Sequence, residues 1–344
     1  MRVAYVDVVE VLERVLLGRG MHEERAALCA RLFADASRDG VPSHGLNRFP
    51  GFVAAIDGGE VVGNAMPEKM AGFGGLERYD GHFGPGPANA WFAMGRACEL
   101  AGEHGIGCVA LARTNHWMRA GNYGWQAAER GCFALCFTNG TPVMAPHGAH
   151  VAKLGNNPLV IAAPRASGRH VVLDTAMSQY SWGRLKILRR EGKQAPLPAG
   201  FTKDGELTSD PDAVLRGGAT LAIGHWKGAG MALMFDVLAA SLANGLASMH
   251  VANGAYDHGI SQVFVAIDAR KLGTNPEPII DEILEDLRST PPTHAGERVM
   301  HPGERALAAR ERSERLGVEV EEGIWNEVRR LDGAGRVNKQ TGQR

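Results

Sequence analysis

The sequence predicts an α/β fold: a sheet covered by helices on both faces, with helical segments at both ends of the chain. Three observations carry this. Short continuous apolar runs recur through the middle of the chain, at 108–112, 133–137, 159–163, 171–173 and 263–267. Segments of helical period lie between several of them, which is the pattern of a sheet buried on both sides. The first 40 residues and residues 277–330 carry helical periodicity without strand-like runs.

In chain order, Val8, Val11, Leu12, Val15 and Leu16 repeat at helical spacing, Asp7 with Glu10 has the form of a capping box, and Gly18 and Gly20 end the helix. A second helix places Ala26, Cys29, Leu32, Phe33 and Ala36 on one face and stops at Gly40. Residues 51–87 are rich in Gly and Pro and read as loops and short strands. Helices over 88–104 and 120–130 each lead into an apolar run, Cys108 to Ala112 and Phe133 to Phe137. Residues 184–218, with their charges, Pro and Gly, read as an exposed excursion. The stretch from Met231 to Met249 is apolar nearly all round and predicts a buried helix. From Asp332 to Arg344 no hydrophobic pattern remains, and this tail is expected to be disordered.

Bulk properties narrow the class. Hydrophobic residues make up 44% and charged residues 22%, an ordinary globular composition. The formal net charge of -1 gives no basic surplus, so neither nucleic acid nor membrane is an expected partner. Five scattered cysteines without a CxxC fit a reducing cytosol better than a disulfide framework. The acidic N-terminal stretch lacks the form of a signal peptide, and no apolar run reaches the ~20 residues of a spanning helix.

Common cofactor motifs fail on context. No Walker A sequence occurs. Gly105-Ile106-Gly107-Cys108-Val109-Ala110 matches GxGxxA, but a dinucleotide fingerprint follows a strand and opens a helix, and here a helix precedes and a strand follows. A helix-to-strand turn is the favoured reading. No HExxH or matched Cys/His set indicates a metal.

Three clusters carry possible chemistry. In the first, Ser43-His44-Gly45, with Arg48 four positions after the histidine, offers a proton carrier and a bidentate carboxylate clamp, or else a capping histidine and a surface arginine. The second, Thr114-Asn115-His116-Trp117-Met118-Arg119, follows a strand with polar and aromatic groups packed as in a small-ligand pocket, or as in a wet loop. The third pairs Asp174, at a strand end, with Lys227 between glycines. They are positioned to meet a ribose and a phosphate, or to serve as a helix cap and a solvated turn.

Taken as ordered segments, SHGLNRFPGFV (43–53), GIGCVALARTNHWMRAGNYGWQAAERG (105–131), LGNNPL (154–159), LDTAMS (173–178), WKGAGMALMFDVLAASLANG (226–245) and HPGE (301–304) resemble the malate/L-lactate dehydrogenase family of the second, non-Rossmann type, over roughly residues 1–330. The resemblance implies a mixed-sheet, non-Rossmann NAD-binding α/β fold with a helical lobe formed by both chain ends. The expected division is 1–75 plus 290–331 for the lobe and 76–289 for the mixed domain. It also implies a cytoplasmic homodimer with its active sites near the subunit interface, and reduction of a small 2-oxo acid, with malate, lactate, ureidoglycolate and cyclic imino acids as the family's other substrates.

Carried over by position, His44 is the proton donor, Arg48 holds the substrate carboxylate, and His116 is the rival acid. Ser43, Asn115 and Thr141 join the substrate site. Val172, Leu173, Asp174, Thr175, Ala176, Met177 and Ser178 form the adenosine-side cofactor strand; Trp226 with Lys227, and Gly303-Glu304-Arg305, make the other cofactor contacts. The family pattern TNS reads Thr138-Asn139-Gly140 here, so a serine contact is missing at Gly140 and Thr141 is the candidate to replace its hydroxyl. NADH is the expected cofactor. Arg184, Lys186, Arg189 and Arg190 leave NADPH open, since a 2′-phosphate wants a nearby cation. Two readings of other classes stand beside this: a metal-dependent hydrolase or lyase using His44, His116 and Asp174, and a catalytically inactive NAD-binding protein.

Overall fold

The computed structural model describes residues 1–251, 257–294 and 296–340. The chain opens with β1 (Arg2–Val3), α1 (Tyr5–Gly18), α2 (Glu23–Arg38) and α3 (Phe49–Asp57). The expected capping box is displaced: Ala4 caps α1 without a side-chain bond, and Asp7 lies within the first turn, where a carboxylate suits the positive end of the helix. Ala26, Cys29, Leu32, Phe33 and Ala36 of α2 are all buried, and Gly40 takes φ +80° just past its end. Helix α3 lies where loops are expected. Pro50 in its first turn has φ preset for a helix and no N–H to leave unpaired, so a Pro that reads as a breaker starts the helix instead.

The middle of the chain supplies β2 (Glu68–Phe73), β3 (Leu76–Asp80), α4 (Gly86–His104), β4 (Ile106–Asn115), α5 (Gly121–Glu129), β5 (Phe133–Thr138), β6 (Pro142–Met144), β7 (Leu154–Gly155), β8 (Leu159–Ala163) and β9 (Val171–Thr175). Gly105, at φ +84°, ends α4 and turns directly into β4, so the GxGxxA match is a helix-to-strand turn. After these come α6 (Trp182–Arg190), β10 (Gly200–Phe201), β11 (Leu207–Thr208), α7 (Pro211–Leu215), β12 (Ala219–Thr220), α8 (Trp226–Ala243) and β13 (His258–Ile267). The chain closes with α9 (Glu277–Ser289), α10 (Glu304–Leu316), β14 (Val318–Glu319) and α11 (Glu322–Gln340). Helix α11 continues through most of the tail expected to be disordered; residues 341–344 lie outside the described residues.

The main sheet has seven strands in the order β2-β3-β4-β13-β5-β8-β9. Only β3 and β4 run parallel; every other pair is antiparallel. One face packs on α4 and α5 through Met94, Val109, Leu111, Tyr123 and Phe264. The other meets α8 through Phe137, Ala239, Ala243 and Val263. A separate apolar cluster joins α1, α2 and α3 to β14 and α11, through Leu12, Phe33, Phe52, Val318 and Val328 among others. Strand β2, assigned by sequence to the lobe, belongs to the main sheet.

Two expectations are corrected. The segment 184–218 is not a bare excursion: Leu185, Leu188, Ala195, Ala199 and Val214 form a small core of their own. Helix α8 is not buried all round. Its small residues are buried, Ala239 and Ala243 against the main sheet and Ala229 and Ala232 against Met144, Leu154 and Met177, while Leu233, Met234, Val237 and Leu242 are exposed. Small residues let the helix approach the strands closely, and the larger apolar side chains are left for another surface.

Candidate functional site

A cavity of about 1300 Å³ lies between the helical cluster and the strand ends of the sheet. Ser43, His44 and Arg48 enter it from two 3-10 turns, Pro42–His44 and Leu46–Arg48, which follow α2. The turns stand where they do because Gly45 lies against α2: a Cβ there would fall 2.2 Å from Ser37 Oγ, whose oxygen accepts the Leu46 N–H (2.8 Å).

His116 comes from the other side, just beyond β4. Its ring lies 5.9 Å from that of His44, at 26°. The Met118 N–H donates to His116 Nδ1 (2.9 Å), which fixes the neutral tautomer with its proton on Nε2. That Nε2 is 3.9 Å from Asp257 Oδ2. Ser43 Oγ is 3.1 Å from His44 Nδ1. Burial and the nearby Arg48 and Arg119 charges push the His44 imidazole down to about 4. Burial, Arg48 and His44 push His116 well below the ordinary histidine value. Both rings are therefore neutral at pH 7.

Asp39 closes one wall, with 1% of its side chain exposed. It accepts from Arg119 Nη1 (2.6 Å), Arg310 Nη2 (2.7 Å) and Arg38 Nε (2.8 Å). Burial pushes its carboxyl up, but the Arg310, Arg119 and Arg38 guanidiniums outweigh this and hold it well below the usual carboxylate range. Arg119 Nε remains buried without a hydrogen-bond partner and borders Gly121, where an added Cβ would lie 3.5 Å from it and 2.9 Å from Asp174 Oδ2.

Val172, Leu173, Asp174, Ala176, Gly303 and Arg305 also line the cavity. The Gly121 N–H donates to Asp174 Oδ2 (2.8 Å), and the Asp174 side chain is open to the cavity. Gly303, at φ +99°, brings the start of α10 against β9, where a Cβ would be 3.1 Å from Val172 N and 3.2 Å from His170 O. A dinucleotide fits this donor set: a carboxylate for ribose hydroxyls, an orphaned guanidinium nitrogen, a backbone cradle that only glycine allows, and Arg305 for phosphate.

Several expected residues lie elsewhere. Asn115 does not reach the cavity; its Nδ2 donates to the carbonyls of Phe83 (2.8 Å), Gly84 (3.1 Å) and Glu60 (3.2 Å), so it ties loops together. Thr175 donates to the Ala176 carbonyl, Met177 packs in an apolar cluster, and the Ser178 hydroxyl is engaged by Asn156 and Tyr180. Glu304 pairs with Arg288 (3.0 Å). Trp226 and Lys227 open α8 at the surface, away from the cavity wall of this chain. Gly140 and Thr141 do line the cavity. The Thr141 hydroxyl is held by Asp257, and a Cβ on Gly140 would sit 3.9 Å from the same carboxylate.

Sequence reasoning missed Asp39, Arg310, Lys186 as a cavity residue, and Asp257. An acid beside arginine pairs distant in sequence leaves no local signature. Among the described residues, no three His, Cys, Asp or Glu side chains are grouped to hold a metal ion, and no helix is long and apolar enough to cross a membrane.

The 2,3-diketo-L-gulonate reductase of Citrobacter koseri is 36% identical over 334 residues, covering 96% of this chain and all of that one. The solved structure of Δ1-piperideine-2-carboxylate reductase from Pseudomonas syringae is 29% identical, with a TM-score of 0.89 over 96% of this chain and 99% of that one. The malate dehydrogenase of Entamoeba histolytica, 24% identical over 98% of each chain with a TM-score of 0.92, shares the fold. Residues 3–329 match the malate/L-lactate dehydrogenase family. The chain belongs to that family: it is an oxidoreductase whose fold is that of the family's dehydrogenases, and membership implies a nicotinamide cofactor.

Proposed function

We propose that this enzyme reduces a small 2-oxo acid to the 2-hydroxy acid, with a substrate of the 2,3-diketo-L-gulonate kind and NADH as reductant. The observation that carries the reading is the meeting of His44, Arg48 and His116 on one wall of a cavity whose other wall suits a dinucleotide. Bound nicotinamide supplies the hydride that the carbonyl carbon receives.

The chain's own groups do the rest. Arg48 clamps the C1 carboxylate by two parallel hydrogen bonds. His116 presents its Nε2–H, the only tautomer its bond from Met118 leaves, and polarises the carbonyl oxygen. His44 gives the proton that the oxygen takes up, since the Met118 N–H bond to His116 Nδ1 leaves His116 to act as a neutral Nε2–H donor. Substrate binding aids this: a carboxylate on Arg48 offsets the positive charge that holds the His44 pKa down. Asn115 takes no part in the substrate site because its amide is already committed to backbone carbonyls.

NADH is favoured over NADPH by Asp174, whose carboxylate suits a ribose diol and repels a 2′-phosphate. Two of the α6 cations are engaged elsewhere: Arg190 pairs with Glu321 (2.7 Å) and Arg189 lies 3.8 Å from Asp212. The exposed apolar side of α8 supports the homodimer, since an uncovered stripe of Leu233, Met234, Val237 and Leu242 marks a contact surface. Five unpaired cysteines fit a reducing cytoplasm.

The test is consumption of NADH, and separately NADPH, with 2,3-diketo-L-gulonate, oxaloacetate, pyruvate and Δ1-piperideine-2-carboxylate. The diketo sugar acid with NADH should have the highest kcat/KM. Preference for the cyclic imino acid would move the assignment to imine reduction. No turnover on any of them, with NADH still bound, would refute the catalytic reading in favour of an inactive binding protein.

A further inference from the structure

Lys186 is a charged cavity residue that the reaction just described does not use, and it comes from the helix that packs against the histidine turn. It lies on α6, within the small layer that carries its own core, and it opens into the same cavity as Ser43, His44 and Arg48. The placement is tight. Helix α6 approaches the histidine turn through Gly183, where a Cβ would lie 3.3 Å from Ser43 Cβ. Lys186 is three residues on, the spacing that puts two positions on one helix face.

Its electrostatic setting is unfavourable as it stands. Burial lowers the Lys186 pKa, and the charges acting on it are the guanidiniums of Arg48 and then Arg189, with no acid among them. Two of its helix neighbours have carboxylates nearby, Arg189 with Asp212 and Arg190 with Glu321. Lys186 is exposed in the open cavity, so water screens its repulsion from Arg48 until a bound ligand displaces that water and supplies the compensating oxygen itself. The substrate's C1 carboxylate compensates Arg48. A second compensating group must come from elsewhere on the ligand. Helix α6 meets the cavity at Ser43 through Gly183, on the side of His44 and Arg48, which favours the substrate over a dinucleotide 2′-phosphate as the ligand of Lys186.

We propose that Lys186 is a specificity-determining residue that binds an oxygen function on the tail of the 2-oxo acid, at the end remote from the carboxylate held by Arg48. The substrate class is then narrowed to 2-oxo acids bearing a second carboxylate, carbonyl or hydroxyl beyond C2, with plain alkyl 2-oxo acids disfavoured. An ammonium offers three rotatable donors, so it accepts several such oxygens without demanding one geometry. This rests on the proposed 2-oxo acid reductase function and refines it.

The test compares acids of equal length with and without the tail oxygen: oxaloacetate against 2-oxobutyrate, and 2,3-diketo-L-gulonate against 2-oxohexanoate. The readout is the ratio of kcat/KM within each pair, for the wild type, Lys186→Met and Lys186→Gln, with NADH affinity measured by fluorescence as the check on folding. Loss of a charge-assisted hydrogen bond should lower the ratio about 10- to 100-fold in Lys186→Met. Lys186→Gln, which keeps a neutral donor, should lose less. A ratio within about threefold of the wild type in whichever of the two variants binds NADH normally overturns the assignment while leaving the reductase reading intact. A wild type that reduces none of the four acids overturns the reductase reading, and the assignment with it.

Discussion

The pH dependence of the reaction follows from one structural fact, the pairing of His44 with Arg48 in a desolvated cavity. With the His44 imidazole at about 4 in the free enzyme, only about 10⁻³ of it carries a proton at pH 7, a cost of roughly 4 kcal/mol. If the charged ring is the acid, kcat/KM for reduction must fall about tenfold for each pH unit between about pH 5 and pH 8, because that parameter reports the free enzyme. In the substrate complex the carboxylate on Arg48 offsets the repulsion, so kcat should level off at a higher pH than kcat/KM. The reverse reaction needs the neutral ring, which is already the main form, so its kcat/KM should be flat across the same range. The assay is initial-rate absorbance of NADH in both directions, in buffers of constant ionic strength. His44→Asn should lower reductive turnover by ~10²–10⁴-fold and abolish the slope. A flat reductive profile in the wild type, or a slope that survives in His44→Asn, would refute the reasoning and move the acid to His116.

Two further outcomes test the architecture around the site. Asp39→Asn should destabilise the fold by ~3–5 kcal/mol, because it leaves buried guanidiniums uncompensated; over 344 residues that is a melting temperature lower by roughly 4–7 °C. Since the folded carboxyl lies below its unfolded value, the wild-type contribution is complete above the ordinary carboxylate pKa and fades as pH falls through the folded one; urea unfolding at pH 7 and under acid should show the variant losing stability at the first and converging on the wild type at the second. By analytical ultracentrifugation the wild type should sediment as a dimer and Met234→Asp, on the exposed apolar side of α8, as a monomer; a dimeric variant would place the interface elsewhere, and a monomeric wild type would remove the dimer.

Much of the scaffold is legible in the sequence because burial writes periodicity. The five positions assigned to one face of α2 are all buried, and each apolar run of the middle region is a strand of the main sheet. The segments carrying SHG and NHW each yield cavity residues, because their histidines and Arg48 are held by local turns. What escaped is what depends on partners far away in sequence. Asn115 is a polar residue in a polar cluster, and only the fold shows that its amide is occupied by three backbone carbonyls. The core formed by Leu185, Leu188, Ala199 and Val214 is hidden among charges, since a small layer exposes most of what it contains. Helix α8 is apolar on both sides, and no periodicity distinguishes a face turned to the sheet from one uncovered in a single chain.

Closure of the chain on itself bears on how the protein comes into being. The first strand, Arg2–Val3, has its partner at Val318–Glu319, and Asp39 takes one of its guanidiniums from Arg310. A ribosome has therefore released nearly the whole polypeptide before the first helices gain their last apolar neighbours or the cavity gains its Gly303 wall. Until then Leu12, Phe33 and Phe52 lack Val318 and Val328, with which they share a core, and a chain truncated before α10 would have helices but an incomplete cavity, without its Gly303 and Arg305 wall. Contacts of such long sequence separation fold slowly and keep apolar surface exposed during synthesis. Nascent chains of this protein should accordingly be clients for chaperones until their final residues emerge.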